Sequence, residues 1–358
     1  HVTASCSPTR SMLLTGVDNH RNGVGNMRET IPQSHMGRPG YLSVLDTNVV
    51  TVATLLRDAG YRTYASGKWH VGKAPHNLPP ARGFDRSIVM ADSGSDNWEP
   101  AKRYLDLTDR VDWFEDGRPA KMPRDYYSSQ FYVDRAIDYI RSGQGSGKPF
   151  FAYVAFQANH IPVQAPREFI EKYKGRYRDG WTALRQARRD KAIELGLMPP
   201  GTPMVTMPTT TDWNALSEVE KAYQARRMEV YAAMADAMDH HVGRLVAHLK
   251  ATGEYDNTVF VFMSDNGPEA SDPYAVTLGR WWLDRHYHRD LERLGGKGSY
   301  TIIGPSWASA AASPLSTYKF YSGEGGIRVP LIVSGVAGMP RNQIHHSLAH
   351  VNDIVPTL

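Results

Sequence analysis

The only cysteine of the chain, Cys6, lies in the motif C-S-P-T-R, in which Arg10 follows four positions later. A single cysteine excludes an internal disulfide framework and a cysteine-rich zinc site. Cys6 is then either a small buried hydrophobe before a helix start, with Pro8 near the first helical position, or a reactive group. The combined spacing of Cys, Pro and Arg is uncommon, and it favours the reactive group.

Three further pairs of polar residues follow runs that are typical of strands. Lys and His can bind an oxyanion or move protons, whereas Asp and Asn oxygens suit calcium or magnesium rather than zinc. Each pair also has an ordinary explanation, because such residues are usually solvated in loops and Asp265 could simply cap an Asn-Gly turn. The pairs are Lys68 with His70, Asn159 with His160, and Asp265 with Asn266.

The segments that precede these pairs alternate between helical and strand-like patterns. The predicted helix-to-strand units are 51–60 with 61–66, 131–140 with 150–156, and 228–249 with 258–263, and a fourth strand is predicted at 329–334. The run at 150–156 is continuously apolar, which is typical of a strand buried on both faces. This alternation predicts an α/β fold, with a mainly parallel central sheet, helices on both faces and a site at the carboxyl ends of the strands.

The composition bounds the classes of function. The chain has 358 residues, of which 41% are hydrophobic and 22% charged, as in a globular protein. No run approaches the roughly 18 consecutive apolar residues of a spanning helix, so no membrane segment is expected. The formal net charge of +4 is spread too evenly for a nucleic-acid partner but is compatible with a small anionic substrate.

One domain is predicted over residues 1–358, with two insertions that are long for simple connections. They lie near 79–123 and 199–213, and they are expected to shape a substrate pocket or lid. Aromatic residues of the first insertion could form an apolar wall for an aromatic leaving group, or they could only pack the insertion itself. These residues are Trp98, Tyr104, Trp113 and Phe114.

Taken together, the motifs resemble those of the type I sulfatases, whose signature is C-x-P-S/T-R, and the similarity is closest to bacterial arylsulfatases. The matching segments, in the family's order, are C-S-P-T-R-S-M-L-L-T-G, G-K-W-H-V-G, N-H-I-P-V-Q-A-P, M-S-D-N-G and G-E-G-G-I-R-V-P. The resemblance implies an alkaline-phosphatase-like fold. It also implies an arylsulfatase, which hydrolyses sulfate monoesters to an alcohol or phenol and inorganic sulfate.

The resemblance assigns a role to each catalytic candidate. Cys6 would be oxidised by a formylglycine-generating enzyme, and the hydrate of the resulting formylglycine would attack sulfur. One hydroxyl of this geminal diol attacks and the other expels sulfate, so the enzyme avoids a stable sulfate ester. By similarity, Arg10 pairs with the nucleophile, Lys68 bridges it and the sulfate, His70 is the base for sulfate elimination, and His160 and Lys319 bind sulfate and protonate the leaving oxygen.

The same resemblance implies a metal site. Asp265, Asn266 and one oxygen of the modified Cys6 would bind calcium, with magnesium as the alternative. In the family, further ligands come from an acidic pair at the end of a first strand, and this sequence begins five residues before Cys6. We therefore expect the first strand and the small C-terminal sheet of the family to lie outside the sequence, which would then be a fragment that binds metal poorly.

Two other functions remain open at this point. Phosphonate monoester and phosphodiester hydrolases of the same superfamily share C-x-P-x-R and formylglycine. The order and the residues of N-H-I-P-V-Q-A-P and G-E-G-G-I-R-V-P favour a sulfatase. A non-catalytic protein that keeps the sulfatase scaffold is the third possibility. The expected partners are a small-molecule sulfate ester and the formylglycine-generating enzyme, and the compartment is left open.

Overall fold

The computed structural model describes residues 1–103, 111–205 and 207–358. The chain divides into two compact units, which we name after one residue of each. The Cys6 unit comprises Ser5–Gln157, His240–His248 and Ala349–Leu358, and the Asp265 unit comprises His1–Ala4, Ala158–Asp239 and Leu249–Leu348. The assignment of one catalytic domain to residues 1–358 stays a prediction.

The regular elements alternate as the hydrophobic pattern predicts. The helices are α1 (Cys6–Thr15), α2 (Val52–Asp58), α3 (Ser128–Gly143), α4 (Arg167–Lys172), α5 (Gly180–Glu194), α6 (Glu218–Ala251), α7 (Thr277–His286), α8 (Gly304–Ala312), α9 (Glu324–Ile327) and α10 (Ile354–Thr357). The strands are β1 (Arg62–Lys68), β2 (Arg86–Met90), β3 (Trp113–Glu115), β4 (Arg118–Pro119), β5 (Phe150–Ala155), β6 (Phe260–Met263) and β7 (Leu331–Ser334). Among the described residues, no helix is both long enough and apolar enough to span a bilayer.

The Cys6 unit is built on a mixed five-stranded sheet with the order β4-β3-β2-β1-β5. Strand β1 pairs in parallel with β2 and β5, whereas β3 pairs antiparallel with β2 and β4. Helices α2 and α3 contact β1, and α3 also contacts β5. The predicted α/β fold with helices packed on a central sheet is confirmed, and β1 lies at the centre of its parallel part.

Two predictions about strands require correction. Strand β5 is half-buried over most of its length rather than buried on both faces, and among the described residues it lies at the edge of its sheet. Strands β6 and β7 form a separate antiparallel pair in the Asp265 unit, with Phe260 opposite Ser334. An apolar run indicates that a strand is buried, but it does not predict whether the neighbouring strand is parallel or antiparallel.

The insertion near 79–123 contains β2, β3 and β4, although its sequence showed no clear strand pattern. Trp113 packs in the core with Met90, Tyr126 and Tyr132, which fits the alternative that it packs the insertion. Trp98 stacks at 4.8 Å from the ring of Tyr127. Of the other two aromatic candidates, Phe114 is half-buried and Tyr104 lies outside the described residues. The pocket role of both insertions stays a prediction.

Each unit has its own hydrophobic core. The core of the Cys6 unit around α1, α2 and the sheet consists of Leu14, Leu45, Ala53, Ala65, Trp69, Val71, Phe84 and Val89. The core of the Asp265 unit is centred on three tryptophans, and its members are Trp181, Trp213, Ala225, Met228, Ile303, Trp307, Ala308, Ala310 and Tyr318. The first core includes Leu14 of α1 and Trp69 next to Lys68, and the second includes Tyr318 next to Lys319.

Candidate active site

Cys6 is the first residue of α1, a ten-residue helix that is buried at every position except Leu13. Its own side chain is 1% exposed. The first turn of a helix has backbone N–H groups without intrahelical partners, and the helix dipole makes this end positive. The position therefore favours a negatively charged group at residue 6, such as an oxyanion or a bound sulfate.

Arg10 lies one helical turn after Cys6, so the two side chains project from the same face of α1. Its Nη1 donates a hydrogen bond to the backbone oxygen of Lys68 at 2.8 Å, and it also donates to Oη of Tyr153 at 3.4 Å. Arg10 is 7% exposed. This buried guanidinium joins the C-S-P-T-R motif to the end of β1, where the G-K-W-H motif begins.

The end of β1 is held on both sides of Lys68. Gly67 has φ +112°, and a Cβ at this position would lie 2.1 Å from the backbone oxygen of Ala155 on β5, so only glycine fits. Trp69 is fully buried and donates from its indole N–H to the backbone oxygen of Asn77 at 3.0 Å. Lys68 itself is 2% exposed, and its Nζ donates to Oγ of Ser93 at 3.0 Å.

His70 has the left-handed backbone conformation, with φ +61°, and its N–H donates to the backbone oxygen of Ala91 at 3.0 Å. Its ring nitrogen Nε2 lies 3.4 Å from Oε1 of Glu29. Burial raises the pKa of Glu29, but the hydrogen bond with His70, aided by the charge of Lys68, outweighs it and lowers that pKa to about 2. Glu29 is therefore ionised across the neutral range.

In the Asp265 unit, the loop after β6 carries Asp265 and Asn266 and is tied to a second motif. Gly267 donates its N–H to the backbone oxygen of Gly326 at 2.9 Å, and a Cβ at Gly267 would lie 1.9 Å from the backbone oxygen of Gly325. The backbone N–H of Lys319 donates to Pro268 in the same loop at 3.1 Å. The M-S-D-N-G motif, the segment around Lys319 and the G-E-G-G motif are thus held as one assembly.

Glu269 connects two of the predicted sulfate-binding residues. It is 6% exposed, it accepts hydrogen bonds from Nζ of Lys319 and Oγ of Ser271, and it lies 3.6 Å from Nε2 of His160. Burial raises its pKa, but the charges of Lys319 and His160 and the two hydrogen bonds lower it to about 2. Nδ1 of His160 faces the backbone oxygen of Ile161 at 2.7 Å, so both ring nitrogens face oxygens that only accept.

The donor atoms at the end of β6 fit a hard cation. Nδ2 of Asn266 donates to the backbone oxygen of Gly267 at 2.8 Å, whereas its Oδ1 is buried without a hydrogen-bond partner. An amide oxygen in this state, next to the Asp265 carboxylate, suits calcium or magnesium. Over residues 1–103, 111–205 and 207–358, however, no group of three or more His, Cys, Asp or Glu is placed to hold a metal ion.

Comparison with known proteins decides the family. The family model described as Sulfatase matches residues 1–358, which is the whole chain. The chain belongs to the sulfatase family. This sulfatase is 34% identical to the arylsulfatase of Klebsiella aerogenes over 355 residues, covering 98% of the chain and 75% of the relative. It is 38% identical to an uncharacterised sulfatase of Schizosaccharomyces pombe over 379 residues, covering 100% of the chain and 67% of the relative.

A solved structure shares the fold of the sulfatase. The crystal structure of Ps i-CgsB in complex with k-i-k-neocarrahexaose matches with a TM-score of 0.64 and 22% identity, covering 99% of this chain. The sulfatase spans 61% of the length of that crystal chain. At this level of identity the likeness concerns the fold alone, which is the alkaline-phosphatase-like α/β fold expected from the motifs.

The structure of the sulfatase places the predicted residues in two groups, one in each unit. Cys6, Arg10, Lys68 and His70 belong to the Cys6 unit, and His160, Asp265, Asn266 and Lys319 belong to the Asp265 unit. Asn159, the neighbour of His160, donates from Nδ2 to the backbone oxygen of Tyr231 at 2.9 Å, which is a structural role. The catalytic and metal-binding roles of the eight residues stay predictions.

The described contacts of these residues include side chains that the sequence did not single out, among them Glu29, Ser93 and Glu269. Glu29 and Ser93 lie in loops without a recognisable pattern, and their partners are 41 and 25 positions away. Only Glu269 had a local signal, because it follows Asn266 by three positions in an otherwise polar loop. A search for carboxylates close to each predicted motif would have found it.

Proposed function

We propose that this sulfatase hydrolyses sulfate monoesters, with a preference for aryl sulfates, and that its nucleophile is the hydrate of a formylglycine made from Cys6. The single observation that carries the proposal is the buried hydrogen bond from Arg10 to the backbone oxygen of Lys68. This bond brings together two motifs that lie 58 positions apart and that the family resemblance assigns to one reaction. The arylsulfatase relative supports the preference for aryl esters.

The proposed reaction has two chemical steps. One hydroxyl of the diol forms a bond to sulfur and, as the family resemblance implies, gives its proton to Asp265. The bond from sulfur to the ester oxygen breaks, and the departing phenol takes a proton. The cations Arg10 and Lys68 offset the charge that develops on the nucleophile and the sulfate oxygens. As the family resemblance implies, His160 and Lys319 would supply the proton of the leaving group.

In the second step, His70 removes the proton from the remaining hydroxyl of the sulfated diol. The C=O bond of the aldehyde forms again, the bond from carbon to the sulfate oxygen breaks, and inorganic sulfate leaves. Water then hydrates the aldehyde. The buried ring nitrogen Nδ1 of His70, which has no partner among the described residues, is the atom available for this proton transfer.

The sulfatase family uses a divalent metal ion, and we propose calcium for this member, with magnesium as the alternative. Asp265 and Asn266 would hold it through a carboxylate and an amide oxygen. When bound, the ion supplies a positive charge that polarises an attacking oxygen and screens its approach to an anionic sulfate. The partner in maturation would be a formylglycine-generating enzyme, which could reach Cys6 only before α1 packs, because its side chain is 1% exposed.

The test is expression with a formylglycine-generating enzyme, followed by mass spectrometry of the Cys6 peptide and assays on two substrates. We expect the peptide to lose about 18 daltons, as conversion of a thiol to an aldehyde requires, and 4-nitrophenyl sulfate to be cleaved. The variant Cys6→Ala should lose activity by about 10³-fold or more, since the nucleophile is removed. Ser7→Ala is the matched control, because it keeps C-x-P-x-R intact and should retain activity.

The other outcomes favour the alternatives. Faster cleavage of a 4-nitrophenyl phosphonate ester than of 4-nitrophenyl sulfate would assign the protein to the phosphonate and phosphodiester hydrolases. A protein that carries formylglycine but cleaves neither ester would be a non-catalytic scaffold. If Cys6 remained a thiol in the presence of an active maturation enzyme, the proposed nucleophile would be wrong.

A further inference from the structure

We propose that Glu29 is a positioning residue for His70: its carboxylate accepts the Nε2–H of the imidazole and thereby leaves Nδ1 as the base that expels sulfate. The proposal rests on the proposed function and assigns a role to a residue outside all the sequence motifs. Glu29 lies in a short 3-10 turn at Arg28–Thr30, and His70 lies just after β1. Both residues belong to the Cys6 unit.

The geometry determines which nitrogen carries the proton. Nε2 of His70 lies 3.4 Å from Oε1 of Glu29, and their side chains are 8% and 32% exposed. An ionised carboxylate can only accept hydrogen bonds, so it stabilises the tautomer with hydrogen on Nε2. A neutral imidazole has one N–H, and Nδ1 therefore keeps its lone pair.

The second ring nitrogen, Nδ1, is available for a hydrogen bond with the reaction intermediate. Nδ1 of His70 is buried and has no hydrogen-bond partner among the described residues. Such a group costs free energy unless something bonds to it, and a hydroxyl of the sulfated diol is a suitable donor. The backbone that carries the ring is held, because Trp69 is anchored in the core and the His70 N–H is bonded to Ala91.

The proton balance of the second step agrees with this arrangement. The hydroxyl proton moves to Nδ1, its electron pair forms the aldehyde C=O bond, and the pair of the breaking C–O bond leaves with sulfate. His70 is then an imidazolium, and the negative charge of Glu29 stabilises it until the proton passes to water. The positive charge of Lys68 also acts on Glu29 and helps to keep the carboxylate ionised.

The first experiment uses the mature enzyme, which carries formylglycine and its metal, with 4-nitrophenyl sulfate as the probe. In Glu29→Gln the charge is lost, and the amide can no longer select the tautomer. We expect steady-state turnover to fall on the order of 10- to 100-fold. Release of the first equivalent of 4-nitrophenol should change little, so a burst should appear. Mass spectrometry should find residue 6 carrying one added SO₃ group.

Two further variants separate positioning from a structural role. Glu29→Asp keeps the charge and should retain more turnover than Glu29→Gln at equal thermal stability. Asp18→Asn is the matched control, because Asp18 also contacts a histidine, His20, at 3.5 Å, but both side chains are more than half exposed. It should behave as the wild type, with neither burst nor adduct.

The inference fails if Glu29→Gln turns over as fast as the wild type, or if it loses turnover without a burst and without the adduct. Equal losses in Glu29→Asp and Glu29→Gln would also overturn it, because the charge would then not matter. These results are distinct from failure of the proposed function, in which the wild-type enzyme with formylglycine would itself not cleave 4-nitrophenyl sulfate.

Discussion

Two of the predicted site residues contact carboxylates that the motifs do not include. Lys319 is 2% exposed and donates to Glu269, and His70 is 7% exposed and contacts Glu29. A cation removed from water is costly unless an anion compensates for it. The carboxylate of Glu269 therefore offsets the cost of burying the Lys319 ammonium in the folded protein.

The first prediction concerns the buried pair of Glu269 and Lys319. Glu269→Gln removes the carboxylate beside a buried ammonium, so we expect the free energy of unfolding at pH 7 to fall by about 3–5 kcal/mol. Urea denaturation measures this change. The control is Glu194→Gln, whose partner Lys191 is 58% exposed, and for which a loss below about 1 kcal/mol is expected. Equal losses in the two variants would contradict the argument.

The same pair predicts a dependence of stability on pH. The pKa of Glu269 is about 2 in the folded protein and near 4.5 in the unfolded chain. A group with a lowered folded pKa binds more protons when unfolded, so its contribution to stability is present above pH 4.5 and is lost as the pH falls toward 2. The difference in unfolding free energy between the wild type and Glu269→Gln should therefore shrink from pH 6 to pH 3. A constant difference would show that Glu269 is not ionised against Lys319.

At the scale of the elements, the position of Lys68 and His70 depends on how β1 meets its neighbours. Gly67 pairs with Ala155 of β5 and with Val89 of β2, near the carboxyl end of β1. The close approach of β1 to β5 at this point brings the end of β1 to the site. The glycine of the G-K-W-H motif thus permits the close approach of two strands, whereas its Lys and His have the proposed chemical roles.

The close contact at Gly67 predicts that Gly67→Ala destabilises the protein. The added Cβ would lie 2.1 Å from the Ala155 oxygen, so β1 or β5 must shift. We expect a loss of stability larger by about 2 kcal/mol than that of Gly60→Ala. Gly60 is the matched control, because its φ is also positive, at +95°, but a Cβ there meets no atom within 4 Å. Thermal unfolding measures both, and equal changes would mean that the backbone angle alone requires glycine.

At the scale of the whole molecule, tryptophans form a large part of the core of the Asp265 unit. The rings of Trp181, Trp213 and Trp307 lie 4.7 to 5.8 Å apart in edge-to-face arrangements. The indole of Trp307 also donates to the backbone oxygen of Gln224 at 2.9 Å. Edge-to-face contacts and a satisfied N–H make these rings well-determined core residues.

This core yields the last prediction. Trp307→Ala should lower the free energy of unfolding by about 3–5 kcal/mol, since it leaves a cavity among the other two rings. Trp281→Ala is the control in the same unit, because Trp281 is 49% exposed and contacts only the surface residue Arg285 among the contacts described for its ring. Its loss should be below about 1 kcal/mol. Denaturation monitored by circular dichroism compares the two variants. Similar losses in the free energy of unfolding would mean that Trp307 is not a main core residue of this unit.

The family, the α/β class and the candidate site residues follow from local sequence patterns. C-S-P-T-R, G-K-W-H and S-D-N-G are local patterns, and hydrophobic periodicity reports which face of each segment is buried. The helix at 51–60 and the strands at 61–66, 150–156 and 258–263 were therefore found close to their observed bounds. The roles of the predicted site residues remain to be tested by the experiments above.

The pairing of the strands and the partners of the site residues become visible only in the folded chain. Strand β2 pairs with β1 and β7 pairs antiparallel with β6, and neither pairing follows from the pattern of a single segment. The partners of His70 and Lys319 are likewise distant, since Glu29 and Glu269 lie 41 and 50 positions away along the chain. Periodicity records how much of a residue is buried, whereas the choice of partner depends on contacts that form only when the whole chain folds.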